Sequence, residues 1–138
     1  MVCENFKLKR GSIFLIPLLH DGWGVGQILG KEKKCLNSIA VSLSSQFLQN
    51  KSDVIEPITK SNCTALFLTF PQNIENGKWK IVAHARVKTP ILFYPYWKNL
   101  RFKNSVGASV KGENTIEEFL TAYHGQGDWD NLKKYLIK

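Results

Sequence analysis

The pattern of apolar and polar positions changes period along this chain, and each change predicts a different element. Residues 12–19 are almost continuously apolar, which predicts a strand covered on both faces. His20-Asp21-Gly22 supplies the Asp-Gly signal of a tight hairpin turn, and residues 23–29 form the returning strand. Gly24 and Gly26 strip one face of that strand, so its backbone can bend or admit another segment closely, while Trp23, Val25 and Gln27 occupy the other face. Residues 37–44 alternate Ile39, Val41 and Leu43 with Ser38, Ala40, Ser42 and Ser44, the pattern of a half-buried strand. Residues 63–70 read as a central strand stopped by Pro71, which cannot extend the ladder. After a turn over residues 73–77, residues 79–87 alternate again: Trp79, Ile81, Ala83, Ala85 and Val87 face a core, and Lys80, Val82, His84 and Arg86 face away.

The last segment has helical period. Ile116, Phe119, Leu120 and Tyr123 recur at i, i+3, i+4 and i+7, with Asn114 or Thr115 as cap, Glu117 and Glu118 in the first turn and Gly125 as the stop. A second short helix is predicted from Asp128 as cap, Trp129, Leu132 and Leu136 as apolar face, and Lys133, Lys134 and Lys138 at its negative end. Weaker patterns fill the rest. Phe6 and Leu8 suggest an edge strand, residues 31–34 a solvated charged turn, residues 45–60 a loop with one helical turn, residues 90–93 a short strand, and residues 107–112 a loop. Strands first and helices last predict an α+β domain, with a strongly bent antiparallel β-sheet or partial small barrel and C-terminal helices. Its organisation is one unit over residues 1–138, β-rich over 9–111 and helical over 114–138.

Several of these stretches carry a family resemblance. Gly11-Ser-Ile-Phe-Leu-Ile-Pro17-Leu, then Asp21-Gly22-Trp23-Gly24-Val-Gly26-Gln-Ile-Leu, resemble the opening hairpin of the immunity protein 26 family of bacterial toxin-immunity loci. Leu66-Phe-Leu-Thr-Phe, Gly77-Lys-Trp79-Lys-Ile-Val-Ala-His84 and Pro90-Ile-Leu-Phe93 resemble later segments of the same family, so the similarity spans residues 9–103. It implies an α+β, non-enzymatic protein encoded beside the toxin it neutralises, with Gly11, Pro17, Gly22, Trp23, Gly24, Gly26 and Trp79 as scaffold positions. It names no catalytic residue.

Composition agrees with a globular chain of one domain: 138 residues, 43% hydrophobic and 12% aromatic. Cys3, Cys35 and Cys63 have neither zinc-site nor disulfide-framework spacing, and an odd count favours a reducing compartment. Lys7, Lys9 and Arg10 before an apolar run resemble a secretory leader, but Pro17 interrupts the run and His20-Asp21 follows it without a cleavage site. No run reaches the about 18 apolar residues of a membrane span. These features point to the cytoplasm and to no membrane partner.

Charge sharpens the picture. The net charge of +8 is uneven, and Lys78, Lys80, Arg86, Lys88, Lys98, Arg101, Lys103 and Lys111 follow one another without a single Asp or Glu between them. Such a surface attracts an anionic partner. Within it, residues 94–103 mix Tyr94, Tyr96, Trp97 and Phe102 with Lys98, Arg101 and Lys103. Aromatics and arginine are the residue types of protein-protein hot spots; the same types stack single-stranded bases in nucleic-acid modules; the plainest reading is a strand pair with core aromatics. The resemblance favours a toxin interface over Tyr94, Tyr96, Trp97, Lys98, Arg101, Lys103 and Arg86.

Enzymatic readings are weaker. The glycines of residues 22–30 lie within a strand and open no helix, so they make no dinucleotide site. His20, His84 and His124 have no ligand spacing, so no metal or other cofactor is expected, and His20-Asp21 has no matching nucleophile. The alternative to an immunity protein is a basic nucleic-acid-binding module or a small-barrel endoribonuclease of a toxin-antitoxin system, in which Arg10 and Arg86 would contact RNA phosphates.

Overall fold

A computed structural model describes residues 8–19, 21–126 and 132–137. Strands β1 (Ser12–Pro17) and β2 (Trp23–Glu32) form the expected antiparallel hairpin, with Ile13 opposite Gln27 and Pro17 opposite Trp23. The strand β2 runs three residues past Leu29, so Lys31 and Glu32 belong to the ladder rather than to a charged turn. It pairs with β3 (Ser38–Ser44), which pairs with β4 (Cys63–Thr69). Strand β5 (Lys80–His84) pairs with β1, and β6 (Val110–Lys111) runs parallel to β4, giving the order β5-β1-β2-β3-β4-β6. Among the described residues the sheet is therefore open and mixed, with β5 and β6 as its edges, and does not close into a barrel.

Helices α1 (Gln72–Glu75) and α2 (Trp97–Phe102) interrupt the β-rich part, and α3 (Glu113–Tyr123) follows it. A 3-10 turn (Lys133–Tyr135) stands where the second C-terminal helix was expected, whose cap Asp128 and whose Trp129 lie outside the described residues, as do Cys3 and Phe6. The helix α3 starts at Glu113 with Gly112 as its N-cap and no side-chain cap bond, so neither Asn114 nor Thr115 serves. Its stop is Gly125, at φ 79°, as the sequence indicates.

Residues opposite one another in the ladder share a face, which sorts the core into two sides. On one side Phe14, Ile16, Ile28, Val41, Leu43 and Phe67 pack against Trp79 and against Ile116, Phe119 and Leu120 of α3. On the other, Ile13, Leu15 and Val25 lie under Leu48 and Ile58, and Leu29, Ala40 and Leu68 lie under Tyr94. This double cover corrects the half-buried reading of β3: all seven of its residues are buried, because the loop over residues 45–60 and the chain around Tyr94 roof its serine face.

The glycine-stripped face of β2 does admit close neighbours. A Cβ at Gly24 would stand 2.7 Å from Leu120 Cδ1, and one at Gly26 would stand 2.6 Å from Phe14 Cζ. Buried Gln27 ties β2 to the chain entering β1 and the chain leaving β5, its Nε2 donating to Gly11 O at 3.3 Å and to Ala85 O at 3.1 Å. The thiols of Cys35 and Cys63 are buried and free, and burial pushes the Cys63 thiol up to about 11.

Candidate functional site

Residues 90–105 are where the chain departs furthest from its predicted elements. No strand forms over 90–93, and the aromatic-cationic stretch is a helix instead of a strand pair. Tyr96 enters a left-handed conformation at φ 53° and turns the backbone into α2. The helical period has a direct consequence. Trp97 and Arg101, four residues apart, become neighbours, with the guanidinium 4.6 Å from the Trp97 ring centre.

Beneath them the site is pinned. Tyr94 is buried, donates its hydroxyl to Glu32 of β2, and meets the Trp97 ring edge-on at 5.9 Å. Arg101 lies over Tyr94 at 5.4 Å and pairs with Glu32 at 3.8 Å, its side chain 41% exposed. A Cβ at residue 30 would stand 2.6 Å from the Tyr94 oxygen, so Gly30 makes room for this contact. Tyr94, Trp97, Arg101 and Glu32 thus form one interlocked set that fixes α2 on the end of β2. Tyr94 supports the surface from below, while Lys98, Arg101, Lys103 and Arg86 are exposed and Tyr96 and Trp97 half-buried.

Burial first, then the hydrogen bond and charge of Glu32, push the Tyr94 phenol above its ordinary value of 10.0. Because the folded value is the raised one, the neutral phenol favours folding below pH 10 and that contribution is lost as pH rises past it. Stability followed by denaturant titration should therefore fall more steeply above about pH 10 in the wild type than in Tyr94→Phe. Equal pH profiles for the two proteins would show that the phenol is not held neutral.

Outward from α2 the surface is cationic and apolar together. Phe102 is 78% exposed and Lys98, four residues before it, shares its side of the helix; Ile91 and Leu92 are 75% and 65% exposed on the preceding turn. Single exposed apolar residues are ordinary, but several large ones along one basic stretch fit a contact surface.

The other candidate residues serve the fold. Gly11, at φ 93°, sits where β1, β2 and the chain after β5 meet. Gly22 lies beneath the Phe47 ring, Trp23 bridges to Leu48, and Trp79 stacks on Phe14 at 5.7 Å. Arg10 Nη1 donates to Leu29 O at 2.6 Å, so the guanidinium named for RNA phosphates helps hold the β1–β2 junction. His20 lies outside the described residues, and the Asp21 carboxylate accepts from Gln49 Nε2 at 3.3 Å.

His84 Nδ1 lies 3.1 Å from Ser12 Oγ, but Ser12 is fully buried and offers no nucleophile to solvent. Burial, then the charge of Lys9, holds His84 below its ordinary range, and burial does the same to His124. Among the described residues no group of three or more His, Cys, Asp or Glu could hold a metal ion, and no helix is long and apolar enough to cross a membrane.

Sequence reasoning missed Glu32 as the partner that organises the site, since in sequence it looks like one more charge in a lysine-rich turn. Compared with known proteins, the chain matches no family model, no curated protein and no solved structure.

Proposed function

We propose that this chain is an immunity protein of the immunity protein 26 type, which binds and neutralises a cognate bacterial toxin domain in the cytoplasm by protein-protein contact and catalyses no reaction. On this reading the sheet is the bent scaffold of the family, and α2 with its flanking turn is the contact surface. The observation that carries the proposal is the construction of α2. Its inner side is locked by Tyr94 and Glu32, and its outer side presents Lys98 and Phe102 on a fixed base, with Lys103 exposed just past its end. A contact surface that is ordered before binding loses less entropy on association.

Protection requires an affinity near nanomolar, about −12 kcal/mol, through an interface of about 1,600 Å². Half-buried Trp97 and anchored Arg101 are the residue types that supply most of such energy. The positive field speeds encounter with an acidic face of the toxin, with a carboxylate cluster, or with a site beside a basic substrate cleft. No part of this requires a metal or cofactor.

Reversing Lys98, Arg101 and Lys103 together would also break the Arg101 stack, so Lys98→Glu with Lys103→Glu is the cleaner test. Association with the product of the adjacent gene should slow about tenfold or more at low salt and lose most of its salt dependence, with dissociation little changed. Unchanged association kinetics would remove this face of α2 from the interface.

A further inference from the structure

Beside α2 the structure holds a groove that the sequence pattern does not show. One wall is the end of β2 with Lys31 and the β2–β3 turn with Lys33 and Lys34; the other is the end of α2 with Arg101, followed by Asn104 and Ser105; the volume between them is about 570 Å³. Four cations and one carboxylate line it, and that carboxylate, Glu32, is already engaged by the Tyr94 hydroxyl and Arg101. Among the described residues the ion pairs involve none of Lys31, Lys33 and Lys34.

Both walls are held in shape. On the first, Leu36 and Asn37 are left-handed at φ 57° and 53°, and the turn is closed by Cys35 N donating to Glu32 O at 3.1 Å and Asn37 N to Lys33 O at 3.3 Å. On the second, Asn104 and Ser105 are left-handed at φ 49° and 70°, fastened by Ser105 N donating to Asn99 O at 2.9 Å and by Asn99 Nδ2 donating to Val106 O at 2.8 Å. Left-handed backbone costs about 1–3 kcal/mol for residues such as Leu36 and Ser105, less for asparagine, and such strain gathers at ligand clamps. Here it gathers on the two sides of one basic groove.

We infer that this groove is an acidic-peptide site, which takes a surface loop of the protein partner bearing two or more carboxylates. The inference rests on the proposed function and specifies its partner: the loop enters between the β2–β3 turn and α2 while the outer face of α2 makes the surrounding contact. Arg101, stacked on Trp97 and steadied by Glu32, meets the incoming carboxylate in a fixed orientation, and the three lysines neutralise the rest.

The test is titration of the full chain with hexaglutamate, followed by backbone amide shifts. Residues 31–37 and 100–105 should move first. Replacing Lys33 and Lys34 by glutamine should weaken binding about tenfold, whereas Lys51→Gln with Lys60→Gln, which removes equal charge elsewhere, should weaken it by less than about twofold. All four lysines are exposed, and Lys51 Nζ lies 5.4 Å from the Trp23 ring centre, so both variants should keep the wild-type spectrum outside the substituted turns and the neighbourhood of Trp23. Equal weakening by the two pairs, or shifts that avoid the groove, would overturn the inference. So would tighter binding of a uridine oligonucleotide to the same amides, which would make the groove a nucleic-acid site. Peptide binding in the groove by a chain that fails to neutralise the adjacent gene's product would uphold the site and sink the immunity reading instead.

Discussion

Trp79→Ala should lower stability by about 5 kcal/mol and the melting temperature by about 15 °C or more. Trp79 is fully buried, stacks on Phe14, and donates its Nε1 proton to Glu117 Oε2 at 2.8 Å. Truncation leaves a cavity, worth about 3–5 kcal/mol for a core aromatic, and strips a hydrogen bond from a carboxylate that is only 4% exposed. Lys78 Nζ, 3.4 Å from the same oxygen, is half-exposed and compensates little. Trp79→Phe keeps a ring over Phe14 while losing the donor and the indole's second ring, and should cost about 2–3 kcal/mol, less than the full truncation. Urea unfolding of the three proteins measures both; a loss below about 1 kcal/mol for Trp79→Ala would mean that α3 is not fastened to the sheet through this residue.

Gly11→Ala should be the second most damaging small change, at about 3–5 kcal/mol. Gly11 N donates to Ile28 O at 2.8 Å and Gly11 O accepts from Ala85 N at 3.0 Å, so this residue ties β2 to the chain leaving β5. At φ 93° a side chain is strained, and its Cβ would stand 2.5 Å from the backbone oxygen of Ala85, which cannot yield without moving a strand end. Gly77 provides the control, at φ 85° with nothing within 4 Å of a Cβ. Gly77→Ala should therefore cost only the conformational strain, about 1 kcal/mol. Equal losses at the two positions would show that the contact with Ala85 relaxes freely.

These two residues also show which parts of the fold are legible in sequence. Gly24 and Gly26 lie within β2, and Gly11 and Trp79 immediately precede β1 and β5, in stretches whose apolar pattern and punctuation are strong, so the hairpin, β3, β4 and α3 follow from local sequence alone. Burial of the serine face of β3 does not follow, because its roof comes from residues 45–60 and from Tyr94, distant segments whose own patterns are weak. The basic aromatic stretch was legible in composition and misread as backbone. Residues 94–103 contain no clear period, and α2 is a short helix held by tertiary contacts, above all those of Tyr94 and Arg101 with Glu32. The groove was invisible for the same reason: Lys33 and Arg101 are far apart in sequence and meet only once β2 overruns its expected end and α2 folds beside it.

The most direct test of the immunity reading is growth of cells expressing the adjacent gene's product, alone and together with this chain. The expected result is arrest by the product alone, full growth with the wild-type chain, recovery of a one-to-one complex, and failure of the Lys98→Glu, Lys103→Glu variant to protect. Arrest that persists with the folded wild-type chain present, or slowed growth caused by this chain alone, would contradict it.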